Sequence, residues 1–105
     1  MYKIRGKIIS VQNLDINTKK GDFVKKLVTI EETGTGFDNQ MQFEIFGQEA
    51  INVIEHDRKL TEGQFVNIDF YIKSREYNTK FYNTLMIKEA RIEDDEIQLG
   101  NNPPF

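Results

Sequence analysis

Apolar residues in this chain return at every second position, segment after segment, which is the period a half-buried β-strand imposes. From Tyr2 to Val11, Ile4 and Ile8 fall on one side and Lys3, Arg5 and Lys7 on the other. Gly6 within this run points to a bend or bulge. Residues 13–22 are polar and contain Lys19-Lys20-Gly21-Asp22, which reads as a turn. Phe23 to Glu32 alternates again, Val24, Val28 and Ile30 against Phe23, Lys25 and Leu27. After the loop Thr33-Gly34-Thr35-Gly36 a third strand is expected over 40–46, with Met41, Phe43 and Ile45 on one face. Phe65 to Arg75 alternates most clearly, Val66, Ile68, Phe70 and Ile72 sharing a side. Tyr77-Asn78-Thr79 then turns the chain into a fifth strand, from Lys80 to about Ile92.

One segment breaks the period. Gln48 to Leu60 places Ala50, Ile51 and Ile54 at helical spacing, and Thr61-Glu62-Gly63 stops it. The element order is therefore β-β-β-α-β-β, without an internal repeat. That is the order of an OB-fold, a five-stranded, partly open Greek-key barrel with a helix at one end. An SH3-like barrel, the structural rival, does not normally carry a helix of that length there. A chain of 105 residues buries roughly two-thirds of its unfolded surface, enough for one core. The expectation is an all-β domain with one helix over residues 1–92. Beyond Ile92 the alternation dissolves, and residues 93–105 are expected to form a disordered acidic tail.

Charge follows the same division. Residues 1–92 hold 14 basic and 13 acidic residues, a net of +1, whereas residues 93–105 hold four acids and no base, a net of −4. Such a split suggests two kinds of partner, although a solvated terminus that aids solubility is the plainer reading. Cysteine is absent, so disulfides, thiol catalysis and thiolate metal sites are excluded. No apolar run approaches the ~18 residues of a membrane span, and the N-terminus has no signal-peptide pattern. A cytoplasmic protein without metal or cofactor is expected.

Chemistry is poorly supported. No glycine-rich phosphate loop joins a strand to a helix. The single histidine, His56, sits among Glu55, Asp57 and Arg58, the composition of a solvated surface. Glu31 and Glu32 are adjacent on a strand and point to opposite faces, so they form no carboxylate pair. Asp94, Asp95 and Glu96 lack the glycine-turned spacing of a calcium loop. No catalytic and no metal-binding residue is expected.

The outward faces are more informative. Lys3, Arg5 and Lys7 line the first strand; Phe23 and Lys25, with Lys26 adjacent, open the second. Tyr71, Lys73 and Arg75 stand on the non-core side of the fourth, Tyr77 follows in the turn, and Lys80 and Tyr82 begin the fifth. Cations interleaved with outward aromatic rings suit single-stranded nucleic acid: the cations follow phosphates while the rings stack on unpaired bases. The competing reading has the rings cover the barrel ends and the lysines solvate strand edges.

Ser74-Arg75-Glu76-Tyr77-Asn78, followed by Phe81-Tyr82, resembles the most distinctive segment of a small OB-type family of bacteria and their phages, whose members are described as single-stranded DNA-binding proteins. The resemblance extends from Gly6-Lys7-Ile8-Ile9 through Glu32-Thr33 and the 60–70 region. It departs at Phe81, where that family usually carries tryptophan. The chain's end is similar to the acidic tails of bacterial and phage single-stranded DNA-binding proteins: acids, a polar spacer, then Pro103-Pro104-Phe105. A terminal ring and α-carboxylate together suit an apolar pocket with a basic rim. The resemblance implies a barrel that binds single-stranded DNA in replication, recombination or repair. It also implies a tail that recruits replication or recombination proteins through Asp94, Asp95, Glu96, Pro103, Pro104 and Phe105. Self-association of identical chains is compatible with both. The rival from another class is an OB-fold adaptor that binds protein only; an RNA-binding module of cold-shock type is a third reading.

Overall fold

The computed structural model describes residues 1–34 and 39–93; the expected tail segment 94–105 lies outside the described residues. Five strands, β1 (Tyr2–Thr18), β2 (Gly21–Glu32), β3 (Gln40–Phe46), β4 (Phe65–Tyr77) and β5 (Lys80–Glu93), close a barrel in the order β1-β2-β3-β5-β4, and β4 pairs back onto β1. The helix α1 (Gln48–Ile54) lies between β3 and β4. This is the expected OB-fold.

The alternating apolar residues meet inside. Ile8, Val28, Ile30, Phe43, Ile45, Val66 and Ile68 are all but completely buried, and Phe43 meets Phe70 edge-on with centroids 4.9 Å apart. Each such side chain contributes about 1.5–3 kcal/mol by leaving water. Gly6 is where β1 pairs with β2 and β4 at once, opposite Glu32 and Val66. A Cβ on Gly6 would stand 2.4 Å from the Glu31 carbonyl oxygen and 2.6 Å from the Ile30 side chain, so close strand approach demands glycine. The bulge expected near this glycine lies instead between Ile8 and Ser10, where the β1–β2 register shifts. The extra residue reverses the parity, so that Val11 packs on the core.

Three boundaries differ from expectation. The polar stretch 13–18 is strand, because Asn13 to Thr18 pair with Lys26 to Gly21 across a two-residue turn at Lys19-Lys20. Thr18 Oγ1 donates to the Gly21 carbonyl at 2.7 Å and accepts from the Lys20 amide at 3.2 Å. The helix stops at Ile54 instead of reaching Leu60, since residues 55–59 offer no apolar side chain to bury. Leu60 nonetheless reaches the core, with Ile51. At the far end β5 runs through Glu93, which belongs to the barrel instead of the tail. No helix among the described residues is long and apolar enough to cross a membrane.

Candidate nucleic-acid interface

Two hairpins extend beyond the barrel and frame one cleft. The first joins β1 to β2 at Lys19-Lys20. The second joins β4 to β5 at Asn78 and Thr79, whose φ of 52° and 65° make the two-residue turn that matches strand twist. Between them lies a cleft of about 480 Å³. Ile16 and Thr18 line it from β1, Phe23 and Lys25 from β2, and Glu44 and Phe46 from β3. Lys73 and Arg75 of β4 and Tyr82, Thr84 and Met86 of β5 form the opposite wall. This is the strand 2–3 face and the loop pair with which OB barrels hold oligomers.

Its surfaces divide by chemistry. Phe23 and Phe46 stack obliquely with centroids 5.5 Å apart and both remain exposed, as does Tyr82 at 53%. Lys25 is paired to Glu44 at 2.8 Å. Lys73, Arg75 and Lys80 have no ion-pair partner among the described residues. Along the β4–β5 ribbon, Lys73 stands across from Thr84, Arg75 from Tyr82 and Tyr77 from Lys80, so these share one face. Tyr71, opposite Met86, lies on that face nearer the barrel, and Arg75, Tyr77 and Tyr82 line a further hollow toward the tip.

Of the expected contact residues the structure therefore gathers Phe23, Lys25, Tyr71, Lys73, Arg75, Tyr77, Lys80 and Tyr82 around one cleft and its ribbon. Lys26 is a correction. It is 3% exposed, faces inward, and places Nζ 2.7 Å from Glu55 Oε2 at the end of α1. Its parity with Val24 and Val28 sends it to the core side, where a charge persists only with a partner. Lys3, Arg5 and Lys7 also lie outside the cleft lining. Arg5 grips Glu93 with two bonds of 2.7 and 2.8 Å, and Asn67 donates to the same carboxylate. Asp69 accepts from Arg91 at 3.1 Å and Lys3 at 3.3 Å. The Arg5 hydrogen bonds lower the Glu93 pKa against the opposing effect of desolvation, and the Arg91 bonds do the same for Asp69. Lys7 lies over the Phe65 ring, 6.0 Å from its centroid. The first-strand ladder is thus part of a charge-balanced face with Glu89, Asp69 and Glu93.

Phe46 and Glu44 were not among the expected contacts. Their parity with Gln42, opposite to Phe43 and Ile45, was the available signal. A larger groove, about 1160 Å³, runs between Val53–Arg58 and Lys88–Ile92, but no phenylalanine or tyrosine among the described residues lines it, so these walls offer little stacking surface. Asp94, Asp95, Glu96, Pro103, Pro104 and Phe105, expected to bind partners, lie outside the described residues.

Residues 3–93 match a family described as a domain of unknown function, DUF3127. The chain belongs to that family. No curated protein matches it. Among solved structures it is similar to the dimeric N-terminal domain of the PriB protein from Thermoanaerobacter tencongensis, at 16% identity and TM-score 0.63, covering 89% of this chain and 94% of that one. A small single-stranded DNA-binding protein from Streptomyces coelicolor aligns at 10% identity and TM-score 0.47, over 90% and 94% of the two chains. For this DUF3127 member the PriB likeness establishes the barrel topology.

Proposed function

We propose that this barrel binds single-stranded DNA with little regard to sequence, in replication, recombination or repair within the cytoplasm. The observation that carries the reading is the cleft itself. Exposed rings of Phe23, Phe46 and Tyr82 stand beside Lys73 and Arg75, cations without an ion-pair partner among the described residues. Rings stack on bases of any identity, and cations gain affinity by releasing counterions from phosphates. The acidic segment beyond Glu93, with Pro103, Pro104 and Phe105, recruits partner proteins in this reading, and identical chains self-associate.

Fluorescence anisotropy with labelled oligo-dT, oligo-U and duplex at two salt concentrations tests the barrel's part. Single strands should be preferred over a site of about 4–16 nucleotides. The log of affinity should fall with log salt by about 0.7 per phosphate contacted. Equal affinity for duplex, or no salt dependence, would instead favour the protein-binding adaptor. For the acidic segment, Phe105→Ala should weaken pull-down of replication proteins while leaving the barrel folded; undiminished pull-down rejects that role.

A further inference from the structure

One acidic residue stands on the floor of the cationic cleft. Glu44 lies on the outward face of β3, opposite Leu27 of β2 and beside Met86 of β5, at the join of the two walls. Its side chain is 17% exposed, and Oε1 takes the 2.8 Å ion pair from Lys25 Nζ. A carboxylate offers about four lone-pair sites on its two oxygens. No other hydrogen bond or ion pair among the described residues occupies those of Glu44.

By neutralising Lys25, Glu44 leaves this wall without net attraction for phosphate. The backbone of a bound strand is thereby kept to the other wall, where Lys73 and Arg75 have no ion-pair partner among the described residues. Its bases then point inward to Phe23 and Phe46, which share their strand faces with Lys25 and Glu44. A base stacked on those rings meets a donor and an acceptor side by side, the Lys25 ammonium and the Glu44 carboxylate.

We infer that, laid over the sequence-tolerant stacking, Glu44 adds a preference of about one base-edge contact by reading the Watson–Crick edge of a base in the cleft, favouring guanine, then cytosine and adenine, over thymine and uracil. The inference rests on the cleft being the single-strand interface. Guanine offers O6 to the lysine and two adjacent donors, N1–H and N2–H, to the carboxylate. Cytosine and adenine each offer an exocyclic amine beside a ring acceptor. The N3–H of thymine or uracil is flanked by two carbonyl oxygens, so a repelled acceptor accompanies the only donor.

The test compares oligonucleotides of about 12 nucleotides, oligo-dT, oligo-dC and alternating dT-dG, on the wild-type chain and on Glu44→Gln. Alternating dT-dG should bind about tenfold more tightly than oligo-dT, the scale of one base-edge contact. Glu44→Gln removes the charge and keeps the shape, so it should tighten oligo-dT binding and collapse that ratio toward unity. Circular dichroism establishes that the variant is folded; if it is not, Glu44→Asp, which retracts the carboxylate, should reduce the ratio. Equal wild-type affinities for the two strands, or a ratio unchanged in the variant, overturn the inference while leaving the interface standing. Absence of binding to every strand overturns both.

Discussion

Replacing Lys26 by methionine separates a structural role from a DNA-contacting one, because the two predict different losses. Lys26 and Glu55 side chains are 4% and 9% exposed and 2.7 Å apart, and Glu55 Oε2 also accepts the Leu60 amide at 2.7 Å. The pair ties β2 to the end of α1 and to the chain that enters the core at Leu60. Removing one member of a buried ion pair costs about 3–5 kcal/mol, since the other charge is stranded. Glu55 keeps the Leu60 amide and lies at a helix end that can fray toward water, which argues for about 3 kcal/mol. With a urea slope of about 2 kcal/mol per molar, the unfolding midpoint should fall by about 1.5 M in Lys26→Met. The double variant Lys26→Met/Glu55→Gln removes both charges, retains an acceptor for Leu60, and should recover most of the loss. Urea melts followed by circular dichroism measure all three chains. A loss under about 1 kcal/mol would refute the buried pair. An unchanged midpoint with a salt slope reduced by about 0.7 would identify Lys26 as a phosphate contact after all.

Gly6→Ala should destabilise by about 1–3 kcal/mol or more, read as a lowered thermal midpoint, because its Cβ falls 2.4 Å from a backbone oxygen that two paired strands hold in place. Glu93 and Asp69 have pKa values lowered in the fold, so their contribution is complete above the ordinary carboxylate range near ~4 and lost as pH falls through the depressed values. Glu93→Gln should therefore flatten the acid limb of a stability-against-pH curve; an unaltered limb rejects the Arg5–Glu93 assignment. Tyr82→Ala should cost about 1–3 kcal/mol of single-strand affinity. Arg75→Ala should lower the salt slope, whereas Lys3→Ala, outside the cleft, should leave it unchanged, as anisotropy titrations at several salt concentrations would read.

The barrel was legible because each central strand buries one face, and burial writes itself into the sequence as alternation. Where that contrast fades, so did the reading. Asn13 to Thr18 form a ribbon that buries neither side fully, Leu14 and Ile16 being only half-buried, so among Asn13, Asp15 and Asn17 they read as part of a polar loop. The shift between Ile8 and Ser10 reverses parity partway along β1, and no residue type announces such a shift. Lys26 had the core parity, yet its partner Glu55 is 29 residues away, and only folding shows that a carboxylate waits there. The same distance problem hid the neutralisation of Lys3 and Arg5, whose acids come from β4 and β5. The aromatic and basic residues of the β4–β5 ribbon were readable because they are local to one hairpin. Phe46 was not, because its meaning depends on Phe23 lying against it.

The barrel closes unevenly. β1 and β2, or β4 and β5, are matched along most of their length, whereas among the described residues β3 and β5 meet in parallel through only Phe43 with Leu85 and Glu44 with Met86. Such a short zipper is the weakest line around the circumference, and it runs beneath the cleft floor. Amide hydrogens along it should exchange through local opening, on a faster schedule than those of β1 and β2, whose release requires global unfolding. A strand of nucleic acid lying across Phe46 and Tyr82 would span this line and act as a clasp. Ligand occupancy would then register as slowed exchange at Phe43 to Ile45 and Thr84 to Met86, giving the molecule a lock that only its cargo can turn.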